Sequence, residues 1–270
     1  MQHLPNLRVA GQKITHGGRY PFIYWVMAMS TAEALLRVNK PCTLGLQEMT
    51  ASSLPDGIEL LNLTSLQLCK PSMGFLCDSR LSKVSELGLY QVKKDTCIQI
   101  LTQIGQQLKI LRLDVVETIE IDIILGLCPN LQHLEVLRGP IRLSNKVDPT
   151  TLWQLNILEL KFDPNYAVEV GAGMLLQLLQ APELRKLVLV CKFPRQQGES
   201  MEIISMLKRL KILQKLEQAT LQAIGSSRGF SDVILNYMTV HCPNLIDVSN
   251  LSNGSMFDFC WNTDNVVRPH

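Results

Sequence analysis

The stretch GLCPNLQHLEV, residues 126–136, returns as VHCPNLIDVSN at 240–250. In each copy an apolar run with helical spacing ends at Cys-Pro-Asn, and a short alternating run follows. Proline cannot continue a helix, because it lacks the amide donor and its ring crowds the preceding turn. Asparagine accommodates the turn that comes next. The unit therefore reads as a helix stop leading into a strand, with the cysteine turned into the core. A unit written twice calls for a search for a period.

The frame after Cys-Pro-Asn is Leu-x-x-Leu-x-apolar, at Leu131, Leu134 and Val136. It also occurs at Leu63-Leu66-Leu68, Val84-Leu87-Leu89, Leu108-Leu111-Leu113, Leu155-Leu158-Leu160 and Leu184-Leu187-Leu189. The middle residues 66, 87, 111, 134, 158 and 187 are spaced by 21, 24, 23, 24 and 29. Weaker copies place Ala219 and Val248 next, at spacings of 32 and 29. Upstream, Leu44 of CTLGL fits at 22, and LPNLRV (Leu4, Leu7, Val9) looks like a further start. Helical spacing fills the intervals: DTCIQILTQIGQQ sets Ile98, Leu101 and Ile104 on one stripe, with Asp95 as the expected cap. GAGMLLQLLQAPE and SMEIISMLKRLKIL read the same way, the second through Ile203, Leu207 and Leu210.

These residues resemble the leucine-rich-repeat family. FSDVILNYMTVHCPNLIDV (Phe230 to Val248) and IDIILGLCPNLQHLEV (Ile121 to Val136) are similar, more narrowly, to the repeats of F-box/leucine-rich-repeat proteins. The resemblance implies an α/β solenoid, with a curved parallel sheet on its concave side and helices on its convex side. The repeats are irregular, the shortest spacing being 21 and the longest 32. One solenoid is expected over 1–252, clearest at 60–190, with a tail at 253–270. The family's usual Asn or Cys three residues after the last strand leucine is replaced by Pro71, Val92, Val116, Gly139, Asp163 or Lys192. No F-box is visible; LPDGIELL (Leu54 to Leu61) resembles the opening of one, but a repeat strand follows at once. The chain begins inside a repeat, without the polar N-terminal cap such arrays need, and so reads as part of a longer protein, its F-box lost, diverged or upstream.

The resemblance implies protein recognition without catalysis. Within the F-box subfamily that means substrate recognition for a cullin-type ubiquitin ligase, with an F-box-binding adaptor and a cullin as partners if an F-box lies upstream. A free-standing scaffold or inhibitor with no ubiquitin link is the alternative. Strand alternation puts the residues between the leucines on the concave sheet. The expected partner-binding face is therefore Gln67, Glu86, Tyr90, Arg112, Asp114, His133, Glu135, Leu137, Glu159, Lys161 and Lys186, with Cys69 beside them, all projecting from the sheet.

Other classes find less support. The net charge of +2 is too small to indicate a nucleic-acid or anionic-membrane partner. The run PFIYWVMAM (Pro21 to Met29) falls short of the ~18 residues that a spanning helix needs, and no signal peptide is visible. Eight cysteines, at 42, 69, 77, 97, 128, 191, 242 and 260, form no C-x-x-C and read as reduced core residues. The expected compartment is the cytoplasm, with the nucleus as the alternative. GSSRG (Gly225 to Gly229) matches a nucleophile elbow with Ser227 as its serine, but only Phe230 to His270 follow to hold the acid and histidine. VGAGMLL has Leu176 where a dinucleotide loop needs its third glycine. One Cys and one His per repeat, as at Cys128/His133 and Cys242/His241, make no tetrahedral metal site. The expectation is no enzyme, no cofactor and no metal.

Overall fold

A computed structural model describes residues 12–14, 24–26, 42–47, 63–71, 81–138, 141–142, 154–161, 181–191, 205, 215–223 and 228–250. The strands are β1 (Gln12–Ile14), β2 (Tyr24–Val26), β3 (Cys42–Gln47), β4 (Leu63–Cys69), β5 (Glu86–Val92), β6 (Ile110–Val115) and β7 (Ile119–Glu120). They continue as β8 (His133–Arg138), β9 (Ile141–Arg142), β10 (Ile157–Lys161), β11 (Lys186–Cys191), β12 (Gln218–Ala223) and β13 (Asp247–Asn250). The helices are α1 (Lys94–Ile104), α2 (Ile121–Leu127) and α3 (Arg228–His241).

Nine strands form one sheet in the order β3-β4-β5-β6-β8-β10-β11-β12-β13, every neighbouring pair parallel. Its register lines up the middle residue of each frame: Leu44, Leu66, Leu87, Leu111, Leu134, Leu158, Leu187, Ala219 and Val248 form one row. Two residues on, Leu46, Leu68, Leu89, Leu113, Val136, Leu160, Leu189 and Leu221 form a second. The opening residues Leu63, Val84, Leu108, Leu131, Leu155, Leu184 and Leu216 are buried in the same core. Just before the strands, a backbone ladder steps from one turn to the next. Ser85 donates to Thr64, Lys109 to Ser85, Gln132 to Lys109, Asn156 to Gln132, Arg185 to Asn156 and Glu217 to Arg185, all at 2.8–2.9 Å. Parallel neighbours leave their ladder groups unpaired only at the outer edges, so this stacking satisfies the backbone at each turn.

The helices cover one face of the sheet. α1 buries Cys97, Ile100, Leu101 and Ile104, at i, i+3, i+4 and i+7. Ile98, expected on that stripe, lies beside it and is half-buried. Asp95 is not the cap: the helix starts at Lys94, after an extended Lys93 with no side-chain cap bond, and Asp95 sits in its first turn. Instead the Lys94 amide donates to Glu117 Oε2 at 3.0 Å, and the Lys94 ammonium to Glu120 Oε2 at 2.6 Å. A carboxylate from the following strand exit thus meets the free amides and positive dipole end of α1.

Both Cys-Pro-Asn segments end helices. Cys128 and Cys242 are buried, and their amides donate to Ile124 and Met238 at 2.9 Å each. Leu131 and Leu245 then donate back to the two cysteine carbonyls, closing the turns at 3.1 and 3.2 Å. The Asn130 side-chain amide also donates to the Gln106 carbonyl at 2.7 Å, clipping this turn to the one before it.

Two features carried no sequence expectation. β1 pairs antiparallel with β2, and the two-residue strands β7 and β9 pair beside the main sheet. The helical readings at GAGMLLQLLQAPE and SMEIISMLKRLKIL fall outside the described residues, apart from Ala181 to Glu183 and the single helical residue Ser205. LPNLRV and Gly225 to Ser227 of GSSRG lie outside them as well.

Candidate functional site

The other face of the sheet carries the residues between the leucines. Register places Ser65, Glu86, Ile110, His133, Ile157, Lys186, Gln218 and Asp247 in one row across the strands. Gln67, Gly88, Arg112, Glu135, Glu159, Val188, Thr220 and Ser249 form the next. Cys69, Tyr90 and Asp114 begin a third at the carboxyl ends of the strands.

An alternating chain of six charges runs across this face. Arg112 pairs with Glu86 on one side and, through Nε at 3.3 Å, with Glu135 Oε2 on the other. Lys161 Nζ lies 2.9 Å from Glu135 Oε1 and 2.5 Å from Glu159 Oε2. Lys186 Nζ closes the chain 2.6 Å from Glu159 Oε1. Three acids and three bases from β5, β6, β8, β10 and β11 cancel one another. Lateral neighbours in a parallel sheet are about 4.8 Å apart, near enough for side chains of opposite sign to lie flat across the strands.

Burial and charge oppose each other at Glu159. Burial raises its affinity for a proton, but the Lys161 and Lys186 ammonium groups more than offset this and hold its pKa at about 2. Burial likewise lowers Lys161, while Glu135 and Glu159 raise it to about 12. Arg112 is raised in spite of its burial, chiefly through its bond to Glu86. His133 goes the other way: burial lowers it, and Arg112 and Lys186 add to this against the pull of Glu159 and Glu135. Its Nε2 is buried with no hydrogen-bond partner among the described residues.

Four residues expected to project are instead buried: Tyr90, Asp114, Glu159 and Cys69 are 3%, 3%, 7% and 4% exposed. Gln67, Glu86, Arg112, His133, Glu135, Leu137, Lys161 and Lys186 are half-buried. Side chains on adjacent parallel strands stand shoulder to shoulder, so long ones lie over shorter neighbours instead of pointing into solvent. Tyr90 packs with Cys69 and the edge of Leu137 in a small apolar cluster separate from the main core. Its ring lies against Gly88, where a Cβ would come within 2.9 Å of both Cε2 and the hydroxyl. Burial raises the Tyr90 hydroxyl well above its usual value, with Arg112 opposing.

Gly88 is the site residue the periodicity does not single out. Its one sequence signal is a glycine in a row that is otherwise charged or polar from β4 to β10. Two left-handed residues stand at the same rim, Lys70 (φ 49°) after Cys69 and Gln91 (φ 52°) after Tyr90. The Lys70 amide donates to the Tyr90 carbonyl at 2.8 Å, and the β5–β6 register shifts by one residue at Gln91.

Ser227 lies outside the described residues, and so does Leu176. His241 stacks on Tyr237 at 4.3 Å between ring centroids. Among the described residues no group of three His, Cys, Asp or Glu side chains is placed to hold a metal ion, and no helix is long and apolar enough to cross a membrane. No family model matches the chain, and no curated protein matches it either.

Proposed function

We propose that the chain is a leucine-rich-repeat solenoid that recognises another protein without catalysis, through the sheet face turned away from α1–α3. The observation that carries this reading is the register: one leucine row runs unbroken from β4 to β11, and on the opposite face a charged and polar row, interrupted by Gly88 alone, runs from β4 to β10. Nine strands at about 4.8 Å make a ribbon about 38 Å wide, the scale of a standard protein interface and too flat to enclose a small molecule. Leu137, half-buried near the carboxyl end of the middle strand β8 beside Tyr90 and Cys69, supplies an apolar anchor. The narrower proposal, from the two Cys-Pro-Asn repeats, is substrate recognition for a cullin-type ubiquitin ligase.

The test is affinity purification of the tagged protein from its own cells, with partners identified by mass spectrometry. Recovery of an F-box-binding adaptor and a cullin supports the ligase reading. Their absence overturns it and leaves a free-standing scaffold or inhibitor. Loss of the enriched partners in a folded Leu137→Asp variant supports recognition on this face, and their retention places it elsewhere.

A further inference from the structure

The chain of charges is saturated inside and unsaturated at its ends. Arg112, Glu135, Lys161 and Glu159 each contact two opposite charges. Among the described residues, the ion pair of Glu86 is with Arg112 alone, and that of Lys186 with Glu159 alone. Each end is more open than the inner charges of its own sign: Glu86 is 28% exposed against 15% for Glu135 and 9% for Glu159, and Lys186 is 36% exposed against 28% for Arg112 and 24% for Lys161. The face therefore has an acidic end on β5 and a basic end on β11, four strand spacings or about 19 Å apart. Their row neighbours Ser65 and Gln218 bring no competing charge.

Resting on the reading that this face binds a protein, we propose that its partner lays an extended segment across the strands. A basic side chain meets Glu86, an acidic one meets Lys186, and uncharged residues lie between. An extended chain advances about 3.3 Å per residue, so the two charges sit about six residues apart. The middle is uncharged because a partner charge placed there would lose water against groups whose opposite charges are already engaged. A carboxylate with one contact and an ammonium with one contact can each accept another without breaking the chain.

Terminally blocked, fluorescent heptapeptides test this on the full chain by anisotropy at low salt. Four series share uncharged centres with Leu in the middle and differ only at their ends: Lys then Glu, Glu then Lys, both Lys, both Glu. The mixed series are expected to bind about fivefold tighter than the like-charged ones, an advantage that about 0.5 M salt removes. Glu86→Gln and Lys186→Gln, whose inner neighbours Arg112 and Glu159 keep Glu135 and Lys161, should each erase most of it while the variants retain a cooperative unfolding transition. Equal binding by all four series, lost in Leu137→Asp, overturns the proposal while the face remains a binding surface. Binding by none of the series also overturns it, and the cellular purification then decides the wider reading on its own.

Discussion

The Lys161 ammonium stands 2.5 Å from Glu159, two residues back on the same strand, and 2.9 Å from Glu135 on the neighbouring one. One lysine thus holds two carboxylates, and both are mostly withdrawn from water, at 9% and 15% side-chain exposure. Lys161→Met leaves Glu159 with Lys186 and Glu135 with Arg112. The expected cost is about 2 kcal/mol by denaturant unfolding, below that of a fully buried pair because both carboxylates keep one partner. Lys161→Arg should recover part of it.

Acid acts on the same group. The folded pKa of Glu159, about 2, lies below its ordinary 4.5, so the stability it confers is complete above pH 4.5 and is lost as pH falls toward 2. The full difference is worth up to about 3 kcal/mol. Thermal melts between pH 5 and pH 2 should fall steeply in the wild type and more gently in Glu159→Gln.

His133 acts in a higher window. Burial lowers its pKa below the ordinary 6.5, so the folded state favours the neutral ring and stability declines as pH falls below 6.5. In His133→Leu that part of the melting profile should flatten. Of the groups facing the ring, Glu159, held low by its lysines, and Arg112, held high by Glu86, already carry their charges throughout this range.

The glycines at 88 and 105 differ in what an added methyl meets. At Gly105 it would come 2.5 Å from the Leu127 carbonyl oxygen, which belongs to backbone and cannot swing away. Gly105→Ala should cost about 2–3 kcal/mol, and Gly88→Ala, which displaces the Tyr90 ring, about 1–2 kcal/mol. Chemical unfolding measures both, and Tyr90→Phe combined with Gly88→Ala should lessen the second penalty. At the rim, Lys70→Gly and Gln91→Gly should each stabilise by about 0.5–1 kcal/mol, because glycine occupies the left-handed region without strain.

The thiols should be inert in the native state. Burial raises Cys97 and Cys128 to about 12 and Cys242 to about 11, so almost no thiolate is present at pH 8. Iodoacetamide with mass mapping should leave these three unmodified until the chain is unfolded. Labelling at Cys128 in the folded protein would contradict its place behind the helix stop.

Composition and spacing determined most of the architecture. The leucine frame, recurring from Leu66 through Leu187 once per strand, specifies which side chains enter the core, and the parallel register lines those same residues up. Cys-Pro-Asn specifies where two helices stop, because proline's missing donor and fixed φ act locally whatever lies around them. The start of α1 was not legible. Its capping carboxylate, Glu117, lies 23 residues beyond Lys94, and no local pattern connects the two.

The polar face divides along the same line. Alternation alone says which residues leave the core, and it brought Glu86, Arg112, Glu135, Glu159, Lys161 and Lys186 to one surface. Which of them pair, and how deeply each is covered, depends on strand neighbours more than 20 residues apart in sequence. Only the stacked sheet brings these within about 5 Å of one another. Tyr90 shows the difference most directly. Sequence places it among the residues projecting from the open face, and the tertiary structure folds its ring over Gly88 beside Cys69, where apolar contact outweighs exposure to water.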